Sequence, residues 1–232
     1  MVTATLDNWI AADKRIFQTK KIHIYEALHG STGIIDGVKE ENKEKIFYML
    51  MFCLCVPQSK AIKAEEAIER LRKLNFYHDP LSLQVVIGCL QRLVRFQETK
   101  GQRLIEAKKV FLETDFWQSL TQRYLQYLAS EYKEECLSGA RKFLTESING
   151  FGPKLSSHFL RNVGMNGLAI LDVHIIDGLR KRGIINIEKL SASISEYLEI
   201  EQKMKNYAQL VGLSLDELDL LLWSQKTGYV FK

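Results

Sequence analysis

The chain has 232 residues, 46% hydrophobic and 26% charged, with a formal net charge of +4, the make-up of a soluble globular protein of one large domain or two small ones. No apolar run is long enough to span a membrane, and Met-Val-Thr-Ala-Thr-Leu-Asp at the start has no signal-peptide pattern, so a cytoplasmic location without membrane contact is expected. Cys53, Cys55, Cys89 and Cys136 stand at irregular spacings, as free thiols of a reducing compartment do; they argue against a zinc or iron–sulfur centre.

Three prolines and the lack of alternating valine- or threonine-rich runs predict an all-α protein. Residues 7–29 carry Ile10, Ile16, Phe17, Ile24 and Leu28 at helical spacing, an amphipathic helix or pair ending at Gly30. Residues 31–39, with Gly33 and Gly37, read as a loop. Residues 41–55 then turn from charged to wholly apolar, as in a helix driven into the core. Pro57 stops that helix, and Ser59 is expected to cap the next, on which Ala61, Ile62, Ala64, Ala67, Ile68 and Leu71 are helically spaced. Asp79-Pro80 is expected to open a further helix with proline at its first position. Helical segments follow at 115–128 and 132–148.

Gly150 and Gly152, two apart and followed by Pro153, forbid regular helix and supply a tight turn. A new helix starts after them, because Leu155, Phe159 and Leu160 recur at its period. The start of such a helix points unpaired N–H groups outward and accepts an anion, phosphate above all. Lys154 sits at the mouth of this feature, and Asp172 follows after the small-residue turn 164–167 and an apolar run. Helices are expected from Asp172 to Arg182, then over 195–210 and 215–226. Between Arg141 and Gly183 seven basic residues (Arg141, Lys142, Lys154, Arg161, Arg180, Lys181, Arg182) face three acidic ones, an excess equal to that of the whole chain. A local basic face for a nucleic-acid backbone is the expectation.

The string Gly-Phe-Gly-Pro-Lys-Leu-Ser-Ser-His-Phe-Leu-Arg-Asn, followed by Leu-Asp-Val-His, resembles the helix–hairpin–helix DNA glycosylases, and most closely the archaeal-type 8-oxoguanine DNA glycosylase/AP lyases. The resemblance covers roughly residues 46–232. It implies two helical lobes, one from residues 1–57 and 164–232 and a central bundle from 58–163, with the hairpin at the cleft between them. It makes Lys154 the nucleophile and Asp172 its partner, with Gly150, Gly152, His158 and Arg161 among the DNA-binding residues. Pro153 before the lysine departs from the family pattern and removes one backbone donor.

Further matches extend the resemblance. Val-Pro-Gln-Ser-Lys-Ala has the position of the family loop that enters the duplex opposite the extruded base, which makes Gln58 the wedge. Arg-Phe-x-x-x-Lys-x-x-Arg-Leu-Ile resembles the segment that covers one face of that base, here with Phe96. The ending Leu-Trp-x-x-x-x-Gly-x-Val-x-Lys resembles the family C-terminus, where the tryptophan, Trp223, stacks on the base. The carboxylate of the terminal lysine, Lys232, would accept the N7–H that 8-oxoguanine has and guanine lacks. In related hairpins turn carbonyls also hold a monovalent cation, K+ or Na+; the corresponding ones belong to Glu146, Ile148 and Phe151.

The implied chemistry starts by flipping the nucleotide into a pocket, at a cost of roughly a few kcal/mol. A neutral lysine attacks the sugar C1′ as the base leaves, and the resulting Schiff base undergoes β-elimination. Only about one lysine in a thousand is neutral near pH 7.5 at the ordinary side-chain pKa, so the site must favour that form. A carboxylate would stabilise the cationic sugar. The expected protein is a monomeric glycosylase/lyase acting on 8-oxoguanine in double-stranded DNA, without a redox cofactor or iron–sulfur cluster. The alternatives are a non-catalytic hairpin module that binds DNA and a glycosylase for a different damaged base.

Overall fold

In a computed structural model, residues 5–29, 35–191, 193–228 and 230 are described, and every regular element among them is helical. The elements are α1 (Leu6–His29), a single 3-10 turn (Glu40–Asn42), α2 (Lys43–Cys55), α3 (Ala61–Lys73), α4 (Leu83–Leu90), α5 (Gln97–Leu112), α6 (Thr114–Ala129), α7 (Lys133–Ser147), α8 (Pro153–Asn162), α9 (Val173–Lys181), α10 (Ile194–Val211) and α11 (Leu215–Thr227). The chain divides into a central unit, residues 35–164, and a unit of the two ends, residues 1–34 and 165–232.

The boundary expected at 57/58 therefore falls at 34/35, and α2 belongs to the central unit. Its composition explains why. Every residue from Ile46 to Cys55 is buried, so the helix is apolar around its whole circumference and needs neighbours on all sides. It finds them in α3, α5 and α8. Phe47 meets the rings of Tyr48, Phe76, Tyr77 and Phe111 at centroid distances of 5.1–5.7 Å, in tilted or edge-on geometries that aromatic quadrupoles favour. Cys53, Cys55 and Cys89 are buried thiols not joined in disulfides, and burial pushes the Cys55 thiol up to about 12.

Two of the expected helix starts move. Ser59 does not cap α3; Lys60 is its N-cap and makes no side-chain cap bond, because the Ser59 hydroxyl is used elsewhere. Asp79-Pro80 lies in irregular backbone after a turn, and α4 begins later, with Ser82 capping it through Val85 N–H at 3.4 Å.

In the unit of the two ends, α1 packs against α10 and α11, and α11 against α9. A buried polar cluster ties them together. Asp13 on α1 accepts from Arg182 Nε (2.6 Å) and Nη2 (2.5 Å), from Tyr207 on α10 (2.6 Å) and from Gln225 on α11 (3.1 Å). The Arg182 guanidinium also lies over the Trp9 ring, 4.7 Å from its centroid.

Candidate active site

The hairpin is α7, the turn Ile148–Gly152, and α8. Thr145 and Ser156 share a hydroxyl–hydroxyl hydrogen bond of 3.1 Å across the two helices. Gly150 has φ +93, a conformation that calls for glycine, and the Arg103 side chain lies against it, 2.8 Å from where a Cβ would stand. Gly152 is different. Its φ of −122 is open to any residue, and a Cβ would meet nothing within 4 Å. What Gly152 supplies is bareness: as N-cap of α8 it brings no side chain to the helix start, which leaves that end open to an anion. Pro153 occupies the first turn, where α-helix tolerates proline. Lys154 follows, half-buried, with no ion pair or side-chain hydrogen bond among the described residues.

Asp172 is the N-cap of α9. Its Oδ1 accepts from His174 N–H (2.8 Å) and Ile175 N–H (2.9 Å), so Oδ2 has no hydrogen-bond partner among the described residues. The carboxylate is thus fixed by one oxygen and presents the other. The Ile148 carbonyl accepts from Phe151 N–H at 3.0 Å and keeps its second lone pair, which is compatible with a cation on the turn.

Gln58 and Phe96 share one unusual property. Both are exposed, Phe96 at 58%, and both hold left-handed backbone, φ 57 and φ 58. Pro57 and Gln58 are the central pair of a turn closed by Ser59 N–H to the Val56 carbonyl (2.9 Å), with Gln58 where glycine or asparagine is favoured. Arg92, φ 64 and exposed, has the same place in the turn from Leu90 to Leu93. Such residues cost of order 1–3 kcal/mol each and persist where the surroundings impose them. Phe96 is therefore not a core phenylalanine.

Other expected residues fall elsewhere. His158 (7% exposed) and Arg161 (3%) are buried, because the whole of α8 from Leu155 to Asn162 is enclosed; the His158 ring meets Phe52 edge-on at 5.9 Å. Neither side chain is at a surface that a DNA backbone could touch. The expected basic face also loses three of its seven residues to burial. Arg141 and Arg161 are buried in the central unit, Arg182 is sealed against Asp13, and Arg180 and Lys181 pair with Asp177. The exposed cations beside Phe96 are Arg92 and Arg95. Trp223 on α11 is half-buried against the core of its unit. Lys232 lies outside the described residues.

Sequence reasoning missed the residues on α5 that organise this surface. Lys100 donates to the Cys55 and Pro57 carbonyls and to Ser59 Oγ, Arg103 lies against Gly150, and Glu106 accepts from Asn149 Nδ2 at 2.9 Å. Their spacing, 100, 103 and 106, is one helix face, so the lysine and arginine in the Phe96 segment were a legible signal of a face with work to do.

An all-helical chain whose bare glycine turn sets a lysine at a helix start defines a helix–hairpin–helix protein. The chain belongs to the 8-oxoguanine DNA glycosylase family, whose model matches residues 35–213. An 8-oxoguanine DNA glycosylase/AP lyase of Fusobacterium nucleatum is 32% identical over 220 residues, 94% of this chain and 95% of that one. One of Korarchaeum cryptofilum, with the same description, is 32% identical over 195 residues, 84% of this chain and 86% of that one. Among solved structures, the Methanocaldococcus jannaschii 8-oxoguanine glycosylase/lyase in complex with a 15mer DNA containing 8-oxoguanine superposes with a TM-score of 0.72 at 26% identity, covering 96% of this chain and all of that one.

Proposed function

We propose that this chain excises 8-oxoguanine from double-stranded DNA and then cleaves the strand at the resulting abasic site. The observation that carries the reading is Lys154, held at the bare start of α8 in a chain whose residues 35–213 match the 8-oxoguanine DNA glycosylase family. The Lys154 amine, in its neutral form, attacks C1′ of the extruded nucleotide. The N-glycosidic bond breaks, its electron pair leaves with the base, and the base takes up a proton. Opening of the sugar gives a Schiff base between Lys154 and C1′. Loss of a C2′ proton then expels the 3′ phosphate, and water releases the lysine.

Asp172 stabilises positive charge on the sugar through the carboxylate whose Oδ2 is left open by capping. Phe96 offers an exposed aromatic face to the base, Trp223 a second aromatic, and Gln58 an amide to the vacated duplex position. Phosphate is held by backbone at the turn Gly150–Gly152, which positions the protein without reading sequence. A K+ or Na+ ion on the carbonyls of Glu146, Ile148 and Phe151 would support that grip. The enzyme acts as a cytoplasmic monomer with no redox cofactor. No helix among the described residues is long and apolar enough to cross a membrane.

The test is borohydride trapping on duplexes that each carry a single lesion. Wild type is expected to form a covalent complex with the 8-oxoguanine duplex, and Lys154→Gln to form none and excise nothing while it still binds DNA. Excision by Lys154→Gln would remove Lys154 from its role. Trapping confined to a different lesion would change the substrate.

A further inference from the structure

Lys100 is 4% exposed, and among the described residues no carboxylate pairs with it. Burying an ammonium without a counter-ion is costly, so its hydrogen bonds must be complete. They are: the three donors find the Cys55 carbonyl (2.6 Å), the Pro57 carbonyl (2.7 Å) and Ser59 Oγ (3.1 Å). The Cys55 contact alone would serve the C-terminus of α2. The other two extend the grip around the turn that carries Gln58.

Ser59 Oγ has a second task, since it accepts Arg95 N–H at 3.0 Å. Arg95 directly precedes Phe96, and the Phe96 carbonyl accepts Lys100 N–H at 2.9 Å as α5 begins. One lysine thus reaches both strained loops, through its side chain to the Gln58 turn and through its backbone to Phe96. Burial pushes its pKa down to about 8, with Cys55 acting against the shift and Arg103 adding to it.

We infer that Lys100 is a positioning residue that clamps the Gln58 turn to the Phe96-bearing start of α5, so that the wedge and the base-covering ring stand in fixed register when a base is extruded. The inference rests on the reading of the chain as a base-flipping glycosylase. It concerns the flipping step and not the attack on C1′. An abasic site has no base to extrude or cover, so its cleavage draws little on the clamp.

The experiment compares wild type and Lys100→Met in single-turnover reactions on two duplexes, one with 8-oxoguanine and one with a preformed abasic site, each protein's thermal midpoint being measured alongside. Lys100→Met is expected to lose at least about tenfold on 8-oxoguanine and to stay within about threefold of wild type on the abasic site, as flipping and attack are separate steps. The same lesion in single-stranded DNA, where no pairing is broken, should reduce the deficit to about threefold or less. If Lys100→Met fails to fold, Ser59→Ala decides, because it removes only the oxygen that joins Lys100 to Arg95; the same split at smaller size is expected. Equal losses on both substrates, or no loss on either, in a folded variant overturn the clamp. Failure of wild type to excise 8-oxoguanine would instead overturn the proposed function, and the two failures are distinct.

Discussion

Arg182 and Lys100 are both cations sealed from solvent, one in the unit of the two chain ends and one in the central unit, and they are held in different ways. Arg182 donates two short bonds to a carboxylate, Asp13, which Tyr207 and Gln225 also hold. Lys100 donates only to neutral oxygens. The pKa directions follow. Burial alone would raise Asp13, but the hydrogen bonds from Arg182 and Tyr207 and the Arg182 charge outweigh it, and the carboxyl lies below its ordinary value. Lys100 is depressed by burial, so the folded protein holds its proton less firmly than the unfolded chain does. One cluster stabilises its unit. The other buries a charge at a cost and spends its hydrogen bonds on the turn that carries Gln58. The difference separates a lock for the fold from a device for the surface that we propose meets DNA.

The widest separation of the two comes from Asp13→Ala. Removing the carboxylate leaves Arg182 buried and unpaired, a loss of about 3–5 kcal/mol in stability, read as the midpoint of urea unfolding. Excision per folded molecule should be unchanged. The acid limb supplies a second reading. Since the folded-state pKa of Asp13 is depressed, its contribution is complete above the unfolded carboxylate value, near 4, and fades as pH falls through the lower folded value. Wild type should therefore lose more stability than Asp13→Ala below about pH 4. Parallel acid curves for the two proteins would detach the cluster from stability.

A smaller effect, on chemistry and not on folding, is expected from Asp172→Asn. The amide oxygen can still accept from His174 and Ile175, so the cap of α9 survives while the charge is gone. The single-turnover rate should fall by about a hundredfold with the thermal midpoint nearly unchanged. A fall of less than about threefold would reduce Asp172 to its capping role.

The smallest shift is the most diagnostic. Gln58→Gly relieves left-handed strain at an exposed position and should raise stability by about 1 kcal/mol. Excision of 8-oxoguanine from duplex should nevertheless weaken, because the amide is lost. Opposite signs for stability and activity mark residues kept for function. If both rise together, Gln58 is only a turn residue.

Much of the helix order was legible in the amino-acid sequence, because helices follow from local periodicity and punctuation. The wholly apolar run of α2, the glycine turn before α8, the Asp172 start of α9 and the spacing of α10 and α11 all lie where their residues indicate. So do the turn, the lysine and the capping aspartate, since each depends on neighbours a few positions away. Tertiary structure decided the rest. It assigned α2 to the central unit, turned His158 and Arg161 inward, divided the expected basic face and gave Gly152 an ordinary φ. It also took the Ser59 hydroxyl from α3 and gave it to Arg95 and Lys100, across 36 and 41 residues of chain. Charge in a sequence does not reveal whether it faces water or a buried partner, because burial depends on which helices close over it.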